Sequence, residues 1–318
     1  MKINLVSFLD PIKYRGGGEM VTKAIIDVGL ERGHDIKVSS VRPNRIDEHS
    51  EPDLVFLVDV FNNAHSLASL GAWRAFGSNY LRRAIRRAPF IHLTNAYADV
   101  CNLPYLPCSG NSALLCPIKG DSSLLDKLVT KDFSNRCFSA NDLVRELYEQ
   151  SILNIYVSPL HKTISEKVLG LEGRDSFILK PLIDTSRFYN MNLQRDIEYL
   201  FVGIIGEAKG FYEMRRRFKG EDIHLIGKVA PGIKLDFGVH HGHVTYDRVP
   251  SFMNRAKNFV FLPRWPEPQG RVVVEASLCG CHVIGNENVG ALSFPMDLSN
   301  ARNYQGVEEE LWLKIESI

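Results

Sequence analysis

Hydrophobic residues along this chain fall into short runs separated by segments of helical spacing, and the alternation begins at the N-terminus. Lys2 to Leu9 reads as a strand, Glu19 to Arg32 as an amphipathic helix ended by Gly33-His34, and Ile36 to Ser40 as a second strand. A loop carrying Gly16-Gly17-Gly18 joins the first strand to the helix, so the chain opens with a βαβ unit whose first turn is glycine-rich. Asp53 to Val60 is an apolar run of the kind found in strands buried on both faces. Further strands are expected over Phe90 to Thr94, Ile152 to Ser158 and Phe177 to Pro181, with a helix over Asn79 to Ala88.

The second half carries the same alternation. Strands are expected over Ile197 to Gly203, Ile223 to Gly227, Val239 to Val244 and Phe259 to Leu262, and helices over Val249 to Ala256 and Val307 to Ile315. Strands interleaved with helices predict the α/β class.

Composition narrows this picture only slightly. A length of 318 residues allows two domains of ordinary size, and 45% hydrophobic with 24% charged residues is the balance of a soluble globular protein. The formal net charge of +1 gives no bulk attraction to nucleic acid, so none is expected as a partner. The uncharged segment Val100 to Ile118 contains Pro104, Pro107 and Pro117 and does not read as a membrane span. Six scattered cysteines make no secreted-type disulfide framework and Ile3 to Leu9 has no cleavage site after it, so the cytoplasm is the expected compartment.

The richest stretch chemically is Phe261 to Gly290: a strand end, a proline-rich loop, a helix opened by Gly270, a second strand and a glycine-bearing loop. Glu267 lies in the loop and Glu275 inside the helix. A helix N-terminus offers backbone N–H groups and a positive dipole end to phosphates. Carboxylates on either side of it can accept hydrogen bonds from vicinal hydroxyls. Together they suit a phosphorylated polyol such as a nucleotide sugar; the plain alternative is a βαβ unit whose acids are merely solvated.

This stretch resembles the Glu-x7-Glu signature of family 4 glycosyltransferases (glycosyl transferases group 1). Glu267, Pro268, Gly270, Glu275, Ala276, Gly280, Val283 and Ile284 all fall on the family pattern. The resemblance reaches the N-terminus, where Gly16, Gly17, Glu19, Gly33 and His34 match a family opening. It implies the GT-B architecture, two Rossmann-like domains facing across a cleft. The expected divisions are residues 1–182 for the acceptor side, 183–302 for the donor side, and 303–318 for a helix crossing back to the first domain. Pro181, Asp184 and Phe188 resemble the family linker, although its Asn-Gly turn is replaced.

The resemblance also implies roles. Glu267 would hold donor sugar hydroxyls, Glu275 the nucleotide ribose and Lys209 the diphosphate, with Gly16, Gly17, Gly270 and Gly290 close to the donor and His92 near the anomeric centre. Gly203, Lys209 and Gly210 match the family's phosphate loop, but its arginine position is Ile204. Loss of that charge-assisted contact would cost about 1.5–3 kcal/mol of donor binding unless something replaced it. Arg264 and Arg271 are the candidate replacements.

Three further clusters have functional and structural readings. Arg82, Arg83, Arg86 and Arg87 on one helix suit a peripheral membrane contact or a lipid-linked acceptor, or a solvated face. Cys101, Cys108 and Cys116 suit zinc only if a fourth ligand joins them; reduced buried thiols are the alternative. In the strand expected over Val239 to Val244, alternation would put only His241 and His243 on one face, which favours a structural role over metal binding.

No Asp-x-Asp pair occurs, and that leaves phosphate charge to Lys209, an arginine and the helix N-terminus, with no metal or other cofactor expected. The function expected from the resemblance is retaining, metal-independent transfer of a hexosyl group from a UDP- or GDP-sugar. The acceptor would be a hydroxyl of a glycan, glycolipid or glycoprotein. The rivals are a non-catalytic sugar-nucleotide or glycan-binding relative and a nucleotide-sugar epimerase.

Overall fold

A computed structural model of the chain describes residues 1–14, 16–42, 45–60, 78–97, 142–171 and 173–318. Two parallel sheets organise them. In the first, β1 (Lys2–Leu9), β2 (Asp35–Arg42), β3 (Leu54–Val58), β4 (Phe90–Leu93), β5 (Leu153–Tyr156) and β6 (Ser176–Ile178) lie in the order β2-β1-β3-β4-β5-β6. In the second, β7 (Ile197–Val202), β8 (Ile223–Ile226), β9 (Val239–His240), β10 (Ala256–Phe261) and β11 (His282–Gly285) lie in the order β11-β10-β7-β8-β9.

Parallel strands need crossovers, and helices supply them. Around the first sheet these are α1 (Gly17–Glu31), α2 (Ser78–Ile85), α3 (Asp142–Gln150) and α4 (Pro159–Leu169). Around the second they are α5 (Phe211–Phe218), α6 (Val249–Arg255) and α7 (Arg271–Leu278). Helix α4 went unread in the sequence although its start is well marked. Ser158 caps it by accepting from the His161 N–H, Pro159 stands in its first turn, and Gly170 closes it in the left-handed region.

Both faces of the first sheet are covered, as parallel sheets require. One face joins Ile3, Phe56 and Ile91 to Ile25 of α1; the other joins Val55 and Leu57 to Leu81 of α2 and Leu147 of α3. The second sheet has its own core, centred on Phe201, Phe259, Met253 and Val274. The last helix, α8 (Val307–Glu316), leaves that sheet and packs on the first. Its Trp312 is fully buried and donates from Nε1 to the Ile25 carbonyl at 2.9 Å.

Two expectations are corrected here. The strand expected over Val239 to Val244 ends at His240, because Gly242 turns the chain at φ 71°. The argument that His241 and His243 share a strand face therefore lapses. His240 meets the Gly227 carbonyl at 2.9 Å and His241 meets His224 Nδ1 at 2.9 Å. Cys101, Cys108 and Cys116 lie outside the described residues, as do residues 136–141 of the stretch Arg136 to Gln150, which resembles a strand and helix of family 4 glycosyltransferases.

Candidate functional site

In open parallel sheets a ligand crevice forms where the strand order reverses, beyond the carboxyl ends of the strands. The first sheet reverses between β1 and β3, the second between β7 and β10. The loops after these strands meet across a pocket of about 390 Å³, within the range of small-molecule sites. Gly17, Gly18 and Asn95 line it from the first sheet. Gly203, Lys209, Tyr246, Glu267, Gly270, Arg271 and Glu275 line it from the second.

The loop after β10 is held from both sides. Glu267 donates its N–H to the Asn288 carbonyl at 2.7 Å, and its own carbonyl accepts from Gly290 at 2.9 Å. Gln269 Nε2 donates to the Val157 carbonyl at 3.1 Å, and Ser158 Oγ donates to the Pro268 carbonyl, so the first sheet grips the same loop. Gly270 then turns into α7 at φ 77°, a conformation that disfavours any side chain. The Glu267 carboxylate emerges into the pocket and pairs with the Lys209 ammonium. Lys209 in turn lies 4.9 Å from the ring centre of Trp265. Gly210 lets this happen: at φ 86° it lies against the Leu262 carbonyl with no room for a Cβ.

Glu275 is buried on the next turn of α7. Burial pushes its proton affinity up, while a hydrogen bond from Tyr246 and the charges of Arg271 and Arg187 oppose that. Tyr246 donates to Oε1 at 2.7 Å, and Arg271 Nη2 lies 3.9 Å from the same oxygen. Arg271 also reaches across the cleft to the Gly17 carbonyl at 3.4 Å. Its Nε is buried and has no hydrogen-bond partner among the described residues.

The wall from the first sheet differs from the one expected. His92 lies inside β4, paired in register with Leu57 and Asn154, fully buried and edge-on to Tyr148 at 4.8 Å. Burial lowers its pKa to about 4, so the ring is neutral near pH 7, and it is not among the pocket-lining residues. Just past the end of β4, Asn95 stands at the pocket instead. Asp59, beyond the end of β3, orients it: the Asn95 N–H and Nδ2 both donate to the Asp59 carboxylate at 2.7 Å. Asp59 holds φ 47°, rare for a residue with a side chain, and burial raises its pKa to about 6.

The other expected residues divide between the pocket and its surroundings. Gly17 lines the pocket with Gly18, whereas Gly16 caps α1 behind them. Gly290 supports the Glu267 loop from outside, where a Cβ would meet Ser158 and Pro268. Arg264 pairs with Glu207 at a separate depression on the far side of the β10 loop. Ile204 is 59% exposed and is not among the pocket-lining residues. Asn95 and Tyr246, which line the pocket, and Asp59 and Trp265, which support it, escaped the sequence reading because spacing does not show where strands end and loops turn.

Arg82 and Arg83 stand on α2 and Arg87 just past its end; Arg82 and Arg87 pair with Glu146 and Glu48 at 2.5 and 2.6 Å, and Arg83 lies over the Tyr80 ring. No described helix is long and apolar enough to cross a membrane. Among the described residues no three metal-ligating side chains come together.

No protein-family model and no curated protein sequence matches this chain. Solved structures do. Sucrose-phosphate synthase from Thermosynechococcus elongatus superposes with a TM-score of 0.58 at 16% identity, covering 92% of this chain and 82% of that one. HepE from Anabaena in complex with UDP gives a TM-score of 0.57 at 14% identity over 100% of both chains. The lipopolysaccharide outer core galactosyltransferase WaaB gives 0.50 at 12% identity, covering 90% of this chain and 80% of that one. The fold is therefore GT-B: two Rossmann-like domains of the α/β class facing across a cleft.

Proposed function

We propose that this chain is a glycosyltransferase that moves a hexosyl group from a nucleotide sugar to a hydroxyl of a glycan, glycolipid or glycoprotein. The observation that carries the reading is the meeting of Glu267, Lys209, Glu275 and Arg271 in one pocket where both sheets reverse strand order. A neighbour of the same fold binds UDP, and the chemistry of these four residues fits such a ligand. Domain limits near residues 182 and 302 belong to the same proposal, with the donor on the second domain.

In this reading Glu275 accepts the ribose hydroxyls and Glu267 a hydroxyl of the sugar. Lys209 is exchanged from Glu267 to the diphosphate as the donor enters. Arg271, which lines the pocket at the N-terminus of α7, supplies the cation that Ile204 cannot. The bond from the anomeric carbon to the diphosphate oxygen breaks, and a bond to the acceptor oxygen forms on the same face. The acceptor proton passes to the departing diphosphate, whose charge is met by Lys209, Arg271 and the helix dipole. Charge balance then needs no metal. Asn95, held by Asp59, occupies the reaction side where the sequence had suggested His92.

Thermal unfolding with millimolar UDP, GDP and ADP, each with Mg²⁺ or EDTA, tests this directly. A ligand at a hundred times its dissociation constant stabilises the native state by about 2.7 kcal/mol. The expected result is a midpoint shift with one nucleotide that EDTA leaves unchanged. Arg271→Ala should weaken that nucleotide about 10- to 100-fold, the loss of one charge-assisted contact, and Arg264→Ala should not. No shift with any nucleotide would overturn the reading in favour of a glycan-binding relative, the rival that exposed Ile204 favours.

A further inference from the structure

The hydrogen bond between Tyr246 and Glu275 crosses from one element to another and is poorly explained as packing. Tyr246 opens the short helical turn before α6, whereas Glu275 is buried in α7. The Tyr246 ring is itself held from behind, with Phe188 at 5.3 Å and the Arg187 guanidinium over its face at 5.3 Å. Its edge lines the pocket, and its hydroxyl is fixed 2.7 Å from Oε1 of Glu275. A buried carboxylate that must receive a ligand has two requirements: one rotamer, and a charge that survives burial. Arg271 at 3.9 Å is too distant to set the rotamer by a hydrogen bond.

We propose that Tyr246 is a positioning residue of the donor site, fixing the Glu275 carboxylate through Oε1 so that its remaining acceptor sites receive the 2′- and 3′-hydroxyls of a nucleotide ribose. This rests on the donor-site reading above and deepens it. An ionised carboxylate has about four lone-pair sites, so the tyrosine and a ribose diol can share it. The linker and the α6 approach, which carry Arg187 and Tyr246, thereby enter the specificity of a pocket whose signature lies elsewhere in the chain.

The charge follows from the same contacts. Burial favours the protonated form of Glu275; Tyr246, Arg271 and Arg187 favour the ionised one. Cys279, one turn on, has a thiol that burial pushes up to about 12 and so adds no charge near pH 7. Removing the Tyr246 hydroxyl leaves burial less opposed, and Glu275 then takes up its proton at higher pH.

Tyr246→Phe keeps the ring, its contact with Phe188 and its place under Arg187, so it isolates the hydroxyl. UDP and 2′-deoxy-UDP binding would be measured by calorimetry across pH for wild type, Tyr246→Phe, Glu275→Gln and the double variant. The expected result is UDP binding about tenfold weaker in Tyr246→Phe near pH 7.5, the scale of one hydrogen bond to a charged group. Its loss of affinity on acidification should begin at higher pH than in wild type, and its preference for UDP over 2′-deoxy-UDP should shrink. In the Glu275→Gln background the tyrosine change should add little.

Weaker binding with an unmoved pH profile and unchanged sugar preference would mean that Tyr246 acts by packing alone, and the proposal fails. Unchanged binding in Tyr246→Phe overturns it equally, while leaving the donor site intact. A wild type that binds no nucleotide defeats the donor-site reading and this proposal with it.

Discussion

Asp59 combines two costs in one residue: a left-handed backbone at φ 47° and a carboxylate pushed by burial to a pKa of about 6. Glu19 adds repulsion, and the two donors of Asn95 offset only part of it. The sign of the linkage follows. The folded pKa is above the ordinary value of 3.8, so Asp59 contributes most to stability below that value and loses the contribution as pH rises through about 6. At 1.36 kcal/mol per pKa unit the full swing is at most about 3 kcal/mol. Asp59→Asn cannot ionise and tolerates the same backbone. Urea unfolding from about pH 4 to about pH 8 should therefore show wild type losing stability relative to the variant across that window. Curves that stay parallel would sink the assignment. That such a residue stands beside the pocket, holding Asn95, is the reason to connect its strain with function.

At the scale of elements, the loop after β10 does more than carry Glu267. Its Trp265 belongs to the core of the first domain, packed with Tyr97, while Lys209 lies over its ring. Trp265→Ala is expected to cost about 3–5 kcal/mol, as large-to-small changes at buried aromatics do. Because Glu267 follows two residues later, affinity for the proposed nucleotide donor should fall with it, a coupling that paired unfolding and binding measurements would detect. A loss under about 1 kcal/mol would mean that the docking carries little of the stability.

The same loop separates what the sequence could say from what it could not. Period, glycine punctuation and family resemblance located the described strands and six of the eight helices, leaving α4 and α5 unread, and Glu267, Gly270, Lys209, Arg271 and Glu275 line one pocket. His92 and Asn95 are three residues apart, and only the point at which β4 ends decides which faces the cleft. Arg264 and Arg271 are alike as letters. One follows a loop to the outer face and the other begins a helix aimed at the pocket. Trp265 went unread as an anchor, because its aromatic partner Tyr97 lies in the other domain.

Across the whole molecule, the helix α8 that follows the second sheet lies on α1 of the first. Arg32 and His34 bind Glu316 at this seam, at 2.5 and 2.9 Å, but these are partly exposed pairs of the kind worth little. Apolar contact decides: Trp312 is fully buried against Gly29, the residue of α1 that leaves space for the indole. A Cβ on Gly29 would stand 2.8 Å from Trp312 Cε2 and 2.7 Å from Ile36 Cδ1. Helix propensity alone favours Gly29→Ala by about 1 kcal/mol. Displacing a tryptophan from a core costs about 3–5 kcal/mol, so the substitution should destabilise the protein despite improving the helix. The sign should then depend on the partner. In a Trp312→Ala background the obstruction is gone apart from the flexible tip of Ile36, and Gly29→Ala should become neutral or stabilising. Urea unfolding of the four proteins in this cycle gives the coupling directly. Equal effects of Gly29→Ala in both backgrounds would mean that α8 can shift on α1 without loss, and that the seam between them does not hold the two domains together.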